Sequence, residues 1–360
     1  MSPAGNDLDG SRIGLPMSDW LDTGRGIVLG PMSGYTSRSY REFMLGFGAR
    51  VAVTEMVSAP GLVHNPEESA GYVRAVPGQV TGVQVFGSDP DTVAEGAAVA
   101  LDLEPDLAFV DINMGCPAGK VMRTGAGSSL MSDPELCGRI VRRVADAVGV
   151  PVTVKTRLGL DPHTVNFRRV VDECVRAGAD AVTVHTRTAD QRYAGCARHG
   201  EMAGYGDELP VPLIVSGDIR TAGDAVEAMR ITGAEAVMVA RGGVGNPFLV
   251  TQIAEALAGR EVPPDSTPAQ QAEWCVRLID MTEAEFGEEV ALAKMRGVAA
   301  KFLSGFRYSR EYRRAVTMRC GTLDEVRQVV LRAGGELEGR RSPGDGWERP
   351  PITDISTHRR

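Results

Sequence analysis

Between residues 25 and 258, short apolar runs alternate eight times with amphipathic stretches, and no other feature of this 360-residue chain restricts its fold as much. The runs are GIVLGPM (26–32), RVAVTEM (50–56), TGVQVF (81–86), DLAFVDINMG (106–115), PVTVKT (151–156), DAVTVHT (180–186), PLIVSGD (212–218) and AEAVMVAR (234–241). They are nearly continuous in Val, Ile, Ala and Leu, as parallel strands covered on both faces require. Stretches such as DPDTVAEGAAVALDL and DPELCGRIVRRVADAV lie between them. Several open with an Asp or Thr cap or a first-turn Pro and close at Gly, which predicts helices. Eight strand–helix units predict a (β/α)8 TIM barrel, an α/β fold. The competing open doubly wound sheet wants G-x-G-x-x-G after its first strand, and GPMSGYTSRSY does not supply it.

Past residue 258 the texture changes. GREVPPDST (259–267) reads as a linker, and 268–334 as a small all-helical domain without strand candidates. Residues 1–24 read as an N-terminal extension, and 335–360, rich in Pro, Gly and charge, as a disordered tail. With 43% apolar and 24% charged residues the chain can bury a sizeable core, which excludes disorder or coiled coil as the overall class. No apolar stretch approaches the ~18–20 residues that span a bilayer. The N-terminus lacks a basic leader followed by an apolar core, so a cytoplasmic protein with no membrane partner is expected. The six cysteines stand at least 21 positions apart with no C-x-x-C, which gives a metal site no support and predicts free thiols. Neither G-x-S-x-G nor H-E-x-x-H occurs, which removes the common hydrolase readings.

The net charge of −8 argues against indiscriminate coating of nucleic acid. It conceals a segment, 294–319, with eight Lys/Arg and a single Glu. A basic patch on an acidic body suggests a localised polyanion contact, with a solvated helix face as the plainer alternative.

In a barrel, side chains at the C-terminal strand ends converge on one mouth. Those ends present Pro31, Met32 and Ser33; Glu55; Gln84; Asn113 and Cys116; Lys155 and Arg157; His185 and Arg187; Ser216, Gly217 and Asp218; and Ala240, Arg241, Gly242 and Gly243. Small residues at the last two exits, with Arg241, suit a phosphate. Lys155 and His185 supply fixed or switchable positive charge, which an anionic ring such as a reduced flavin would need. Cys116 follows a strand and precedes a Gly-rich loop, with Pro117 fixing the turn. A thiol of ordinary pKa near ~8.5 is a proton donor at neutral pH, and a neighbouring cation would turn it toward nucleophilic thiolate. His64, His163 and His199 read as surface or packing residues.

The strand-end motifs GPMSGYTSRSYR, VTEM, GVQVFG, DINMGCPAGKV with TGAGSSLM, VKTRLG, VHTRT, SGDI and ARGGVGNP together resemble those of the bacterial tRNA-dihydrouridine synthases, in the same order over about 30–250. The resemblance implies an FMN- and NADPH-dependent reduction of uridine in tRNA. It implies that Pro31, Met32, Ser33, Gln84, Lys155, His185, Ser216, Gly217, Asp218, Ala240 and Arg241 hold FMN. It also implies that Cys116 protonates uracil C5 after hydride reaches C6, and that Asn113 and Arg187 orient the base. The helical domain would grip tRNA, with Lys294, Arg296, Arg310, Arg313 and Arg314 as candidate contacts; a monomer is expected. Ser37 and Tyr40 stand where Asp and Phe are usual, Ser216 where Asn is common, and Gly297–Val298 where Lys-His often follows Met-Arg. Two other readings are an FMN barrel acting on a small pyrimidine and a non-catalytic RNA-binding protein.

Overall fold

The computed structural model describes residues 17–337. The expected tail beyond 337, and the first sixteen residues of the expected extension, lie outside the described residues. Eight parallel strands close into a barrel in sequence order: β1 (Ile27–Leu29), β2 (Val51–Ser58), β3 (Val80–Phe86), β4 (Phe109–Asn113), β5 (Val152–Arg157), β6 (Ala181–His185), β7 (Leu213–Ser216) and β8 (Ala236–Val239). Each falls within, or within two residues of, its apolar run. The helices begin where their caps predict: Asp89 accepts from the Thr92 N–H at 2.9 Å ahead of Pro90–Leu103, and Asp133 from the Leu136 N–H at 2.9 Å ahead of Pro134–Ala147.

The strands carry a periodicity that their apolar character hides. Val110 and Ile112, Val152 and Val154, and Val182 and Val184 are buried aliphatics at alternate positions. The intervening positions hold Asp111 and Asn113, Thr153, Lys155 and Arg157, and Thr183 and His185. The register pairs Asp111 with Thr153, Asn113 with Lys155, and Arg157 with His185. Polar residues therefore share one face of the sheet at strand after strand.

At the N-terminal ends of the strands the barrel is filled instead by apolar side chains. Trp20 and Leu21, from the helix Met17–Thr23, join Val28, Val51, Val80, Phe109, Ile214 and Met238 in one cluster. The Trp20 and Phe109 ring centroids lie 5.7 Å apart. Gly82 makes room, since a Cβ there would stand 2.2 Å from the Phe109 ring. Residues 17–24 of the expected extension are thus part of the barrel, because a Trp and a Leu at adjacent positions find their burial under it.

The described residues divide into two compact units, one reaching Ile219 and including Gly223–Ala240, the other Arg220–Ala222 and the chain from Arg241 onward. The division falls earlier than the boundary expected at 258. The helix Phe248–Leu257 packs within the second unit: Phe248 stacks on Trp274 at 5.7 Å, and Gln252 Nε2 donates to Pro263 O and Asp265 Oδ1 at 3.0 Å each. The remaining helices there are Pro268–Phe286, Glu288–Phe302, Arg310–Met318 and Leu323–Glu336, and no strand occurs among the described residues after 240. Thr267 and Gln270 form a reciprocal capping box at the start of the first of these. Residues 335 and 336, expected in the tail, continue the last helix. Gly334 does not end it, because its missing Cβ lets the helix lie on Ala272, 2.6 Å from where that atom would be, and Glu336 accepts from the Tyr312 hydroxyl.

Candidate active site

Cys116 stands three residues past β4, part-exposed, with its backbone held on both sides. Its N–H donates to Asn113 Oδ1 at 2.9 Å, as does the Gly115 N–H at 3.2 Å. Its carbonyl accepts from the Ser128 N–H at 3.1 Å and the Ser128 hydroxyl at 3.0 Å. Gly127, at φ +62°, permits this closure; a Cβ there would lie 2.7 Å from the Cys116 carbonyl oxygen. Beneath the loop, Arg157 Nε donates to Gly115 O at 2.8 Å.

Asn113 is itself positioned by a buried relay. Its Nδ2 donates to Gln84 Oε1 at 2.9 Å, Gln84 Nε2 donates to Asp111 Oδ2 at 2.6 Å, and the Thr153 hydroxyl donates to Asp111 Oδ1 at 2.6 Å. Asp111 was no candidate in the sequence. Burial raises the pKa of its carboxyl, against the Thr153 and Gln84 hydrogen bonds and the charge of Lys155. Its period-two spacing from Asn113 was the available signal. Lys155 keeps some exposure, yet loss of water around its ammonium and then the nearby Arg157 push it down to about 8, while Asp111 and Cys116 pull it upward.

On the neighbouring strands a second group forms. Gly217, at φ +128°, has no room for a Cβ, which would meet Ala197 and Thr186 at 2.9 Å and the His185 ring at 3.2 Å. His185 and Ser216 are register partners. The Arg187 side chain is fully buried; it donates to Ala194 O, Gly195 O and Asp218 Oδ2 at 3.1, 2.7 and 2.6 Å. Asp218, at φ +51°, accepts from the Ala197 N–H at 2.8 Å as well. Arg187 Nη1 also faces His185 Nε2 at 3.4 Å. A guanidinium only donates, so an unprotonated Nε2 would be the acceptor in that contact. The switchable charge expected of His185 is opposed by this fixed cation.

Of the surface and packing readings of His199 the structure takes packing: its Nδ1 lies 3.1 Å from the Thr186 hydroxyl, and burial lowers its pKa, against the charge of Asp218 and a hydrogen bond to the Gly217 backbone. At β1, the Thr36 hydroxyl accepts from the Met32 N–H at 2.8 Å, and Glu55 Oε2 from the Gly34 N–H at 2.5 Å. Between Val53 and Met56 the register with β3 shifts, which turns Glu55 toward this loop. A Cβ on Gly30 would stand 2.9 Å from Met238 and 3.4 Å from the Ala240 Cβ, so Gly30 and Ala240 lie side by side where β1 and β8 end.

Arg241, Lys294, Arg296, Arg310, Arg313 and Arg314 belong to the second unit. Arg241 opens a single turn, Arg241–Gly243, and together with Arg313 it lowers the pKa of half-buried Lys301, after burial itself. Lys294 lies over the Phe286 ring at 4.6 Å, Arg296 donates to Cys320 O at 2.7 Å, and Arg313 to Ser304 Oγ at 3.4 Å. Arg310 and Arg314 are exposed, as is Arg307.

A thiol at the C-terminal strand ends, a buried amide relay and a lysine beside it are matched by similarity along nearly the whole chain. Residues 28–333 match the model of the dihydrouridine synthase (Dus) family. The chain belongs to the dihydrouridine synthase family. A probable tRNA-dihydrouridine synthase of Rhizobium leguminosarum bv. phaseoli is 36% identical over 323 residues, 88% of this chain and 98% of that protein. One of Rickettsia typhi is 33% identical over 301 residues, 83% and 91% of the two chains. The tRNA-dihydrouridine synthase B of Xanthomonas axonopodis pv. citri is 36% identical over 266 residues, 73% and 79%.

Proposed function

We propose that this dihydrouridine synthase reduces specific uridines of tRNA to 5,6-dihydrouridine, with FMN held at the C-terminal end of the barrel and NADPH as the reductant. The observation that carries the reading is Cys116: a part-exposed thiol whose backbone is fixed at both ends, on the barrel face where Gln84, Asn113 and Lys155 converge.

The residues present fit a flavin mononucleotide. Gly30 and Gly217 pack without a Cβ against Met238 and Ala240 and against Ala197, Thr186 and the His185 ring, which lets the β1 and β7 exits close tightly around their neighbours. Ser216, Gly217, Ala240 and the backbone of Asp218, whose carboxylate is turned to Arg187 and the Ala197 N–H, suit the phosphate end, and Pro31–Ser33 with Gln84 the ring. Lys155 and the imidazole of His185 suit the ring's anionic side. Bound there, the flavin would supply hydride to C6 of the uracil. Cys116 gives its proton to C5, so that the hydride and the proton together saturate the C5–C6 bond. Asn113 uses its oxygen to hold the Cys116 loop. One Nδ2 proton goes to Gln84 and the other meets the Met56 sulfur at 3.7 Å, a weak acceptor that a uracil carbonyl would replace. Arg187, its guanidinium committed to protein groups, supports the 194–197 loop and Asp218 and acts on the base only through them. The exposed arginines of the second unit contact the tRNA backbone, and the target uridine is extruded from its stack to be reduced.

The test is nucleoside analysis of tRNA from a strain lacking the gene. Dihydrouridine is expected to vanish at one or more positions and to return on complementation; an unchanged content overturns the assignment.

A further inference from the structure

The turn between the helices Glu288–Phe302 and Arg310–Met318 holds Tyr308 at φ +62°, in the left-handed region. A bulky side chain rarely adopts that conformation, because its Cβ crowds the backbone. Burial does not offset the strain, since Tyr308 is 79% exposed. Its neighbours impose it: Phe306 and Ser309 are 4% and 5% exposed and anchor the turn from within. Gly305, at φ +98°, already supplies one left-handed position, and a glycine at 308 would supply the second without strain. The turn instead spends that position on an aromatic ring held out to solvent. Among the described residues, none stacks on this ring or bonds its hydroxyl. Arg307 and Arg310 beside it are exposed.

We propose that Tyr308 is a stacking platform for an unpaired base of the tRNA, with Arg307 and Arg310 taking the adjoining phosphates. Strained backbone persists where function uses it. An exposed flat ring flanked in the sequence by exposed arginines has the chemistry of a single-stranded RNA contact, base on ring and phosphate on arginine. An apolar protein partner would want aliphatic neighbours, where this ring has charges. The inference rests on tRNA being the substrate and adds the residue that grips its unpaired bases.

The test is binding of the flavin-loaded enzyme to an unmodified tRNA transcript at several salt concentrations. Tyr308→Gly is expected to bind roughly 5- to 150-fold more weakly with the same salt slope, the usual scale of one lost stack. Its melting temperature should be equal or higher, because glycine accepts the backbone angle. Tyr308→Phe should bind as the parent does. Arg310→Ala should lower the salt slope by about one, as the loss of a phosphate contact does. Tyr308→Asn, which also tolerates the left-handed region, substitutes if the glycine variant fails to fold. Parental affinity in a folded Tyr308→Gly or Tyr308→Asn variant overturns the proposal, and so does a Tyr308→Phe variant as weak as the glycine one. A parent enzyme that binds no tRNA overturns the substrate assignment itself and the proposal with it.

Discussion

Cys116 differs from the five other cysteines in what surrounds it. Cys137, Cys174, Cys275 and Cys320 are buried, and loss of water raises each thiol, Cys137 to about 12, so they remain neutral packing groups. Cys196 is exposed on a loop. Only Cys116 combines partial exposure with a backbone clamped by Asn113 and Ser128. Cys116→Ala should keep its flavin spectrum and lose ~10²–10⁴-fold in turnover, the scale of a missing general acid; steady-state kinetics on unmodified tRNA decides this, and unchanged turnover removes Cys116 from the role. Lys155 carries a pH prediction. A lysine pushed down to about 8 is charged below that pH and neutral above it. Any flavin affinity it supports should be full below pH 8 and decline above it, read by quenching of flavin fluorescence. Lys155→Met should bind weakly at every pH and show no such decline. These two residues were legible in the sequence because thiols and lysines at strand ends declare their chemistry. Asp111 was not, since one carboxylate inside an apolar run resembles any strand residue until Gln84 and Thr153 are seen bonded to it.

The strands and helices follow directly from apolar runs and caps, and the exceptions occur where one element depends on another. The helix Met17–Thr23 reads as part of an N-terminal extension, yet its Trp20 is 1% exposed and packs on Phe109. Trp20→Ala should cost about 3–5 kcal/mol in urea unfolding, the range for removing a buried aromatic. A loss under ~1 kcal/mol would show that the cluster collapses around the gap. Gly82 and Gly334 carry the same lesson. Both are glycines inside regular elements, where the residue is ordinarily unfavourable. Each is explained only by what lies opposite, the Phe109 ring in one case and Ala272 in the other.

For the whole molecule, six of the eight cations of the basic segment 294–319 fall into two groups, apart from part-buried Lys301 and from Arg319, which pairs with Glu311 at 2.7 Å. Lys294, Arg296 and Arg313 are tied to Phe286, Cys320 and Ser304, while Arg307, Arg310 and Arg314 are exposed. Charge reversal at Arg307, Arg310 and Arg314 together should lower kcat/KM for tRNA by roughly tenfold or more and flatten its salt dependence, leaving the flavin spectrum intact. An enzyme of small pyrimidines would not register the change. Including Arg313 would confound the test, because its guanidinium also holds the turn through Ser304. No helix among the described residues is long and apolar enough to cross a membrane, and no group of His, Cys, Asp or Glu among them could hold a metal ion.

The linear chain alone determined the eightfold strand–helix alternation, the helix caps, the order of strand-end motifs and the separation of a basic helical segment. These are written in spacing and residue type, which local propensity and burial periodicity translate directly. Tertiary structure alone decided that Trp20 fills the barrel, that Asp111 orients Gln84 and Asn113, that Arg187 is committed to Asp218, and that the helix after β8 joins the second unit. Each depends on which residues meet across long sequence separations. A side chain's burial, charge and hydrogen-bonding role are set by that partner, and the chain does not name it in advance.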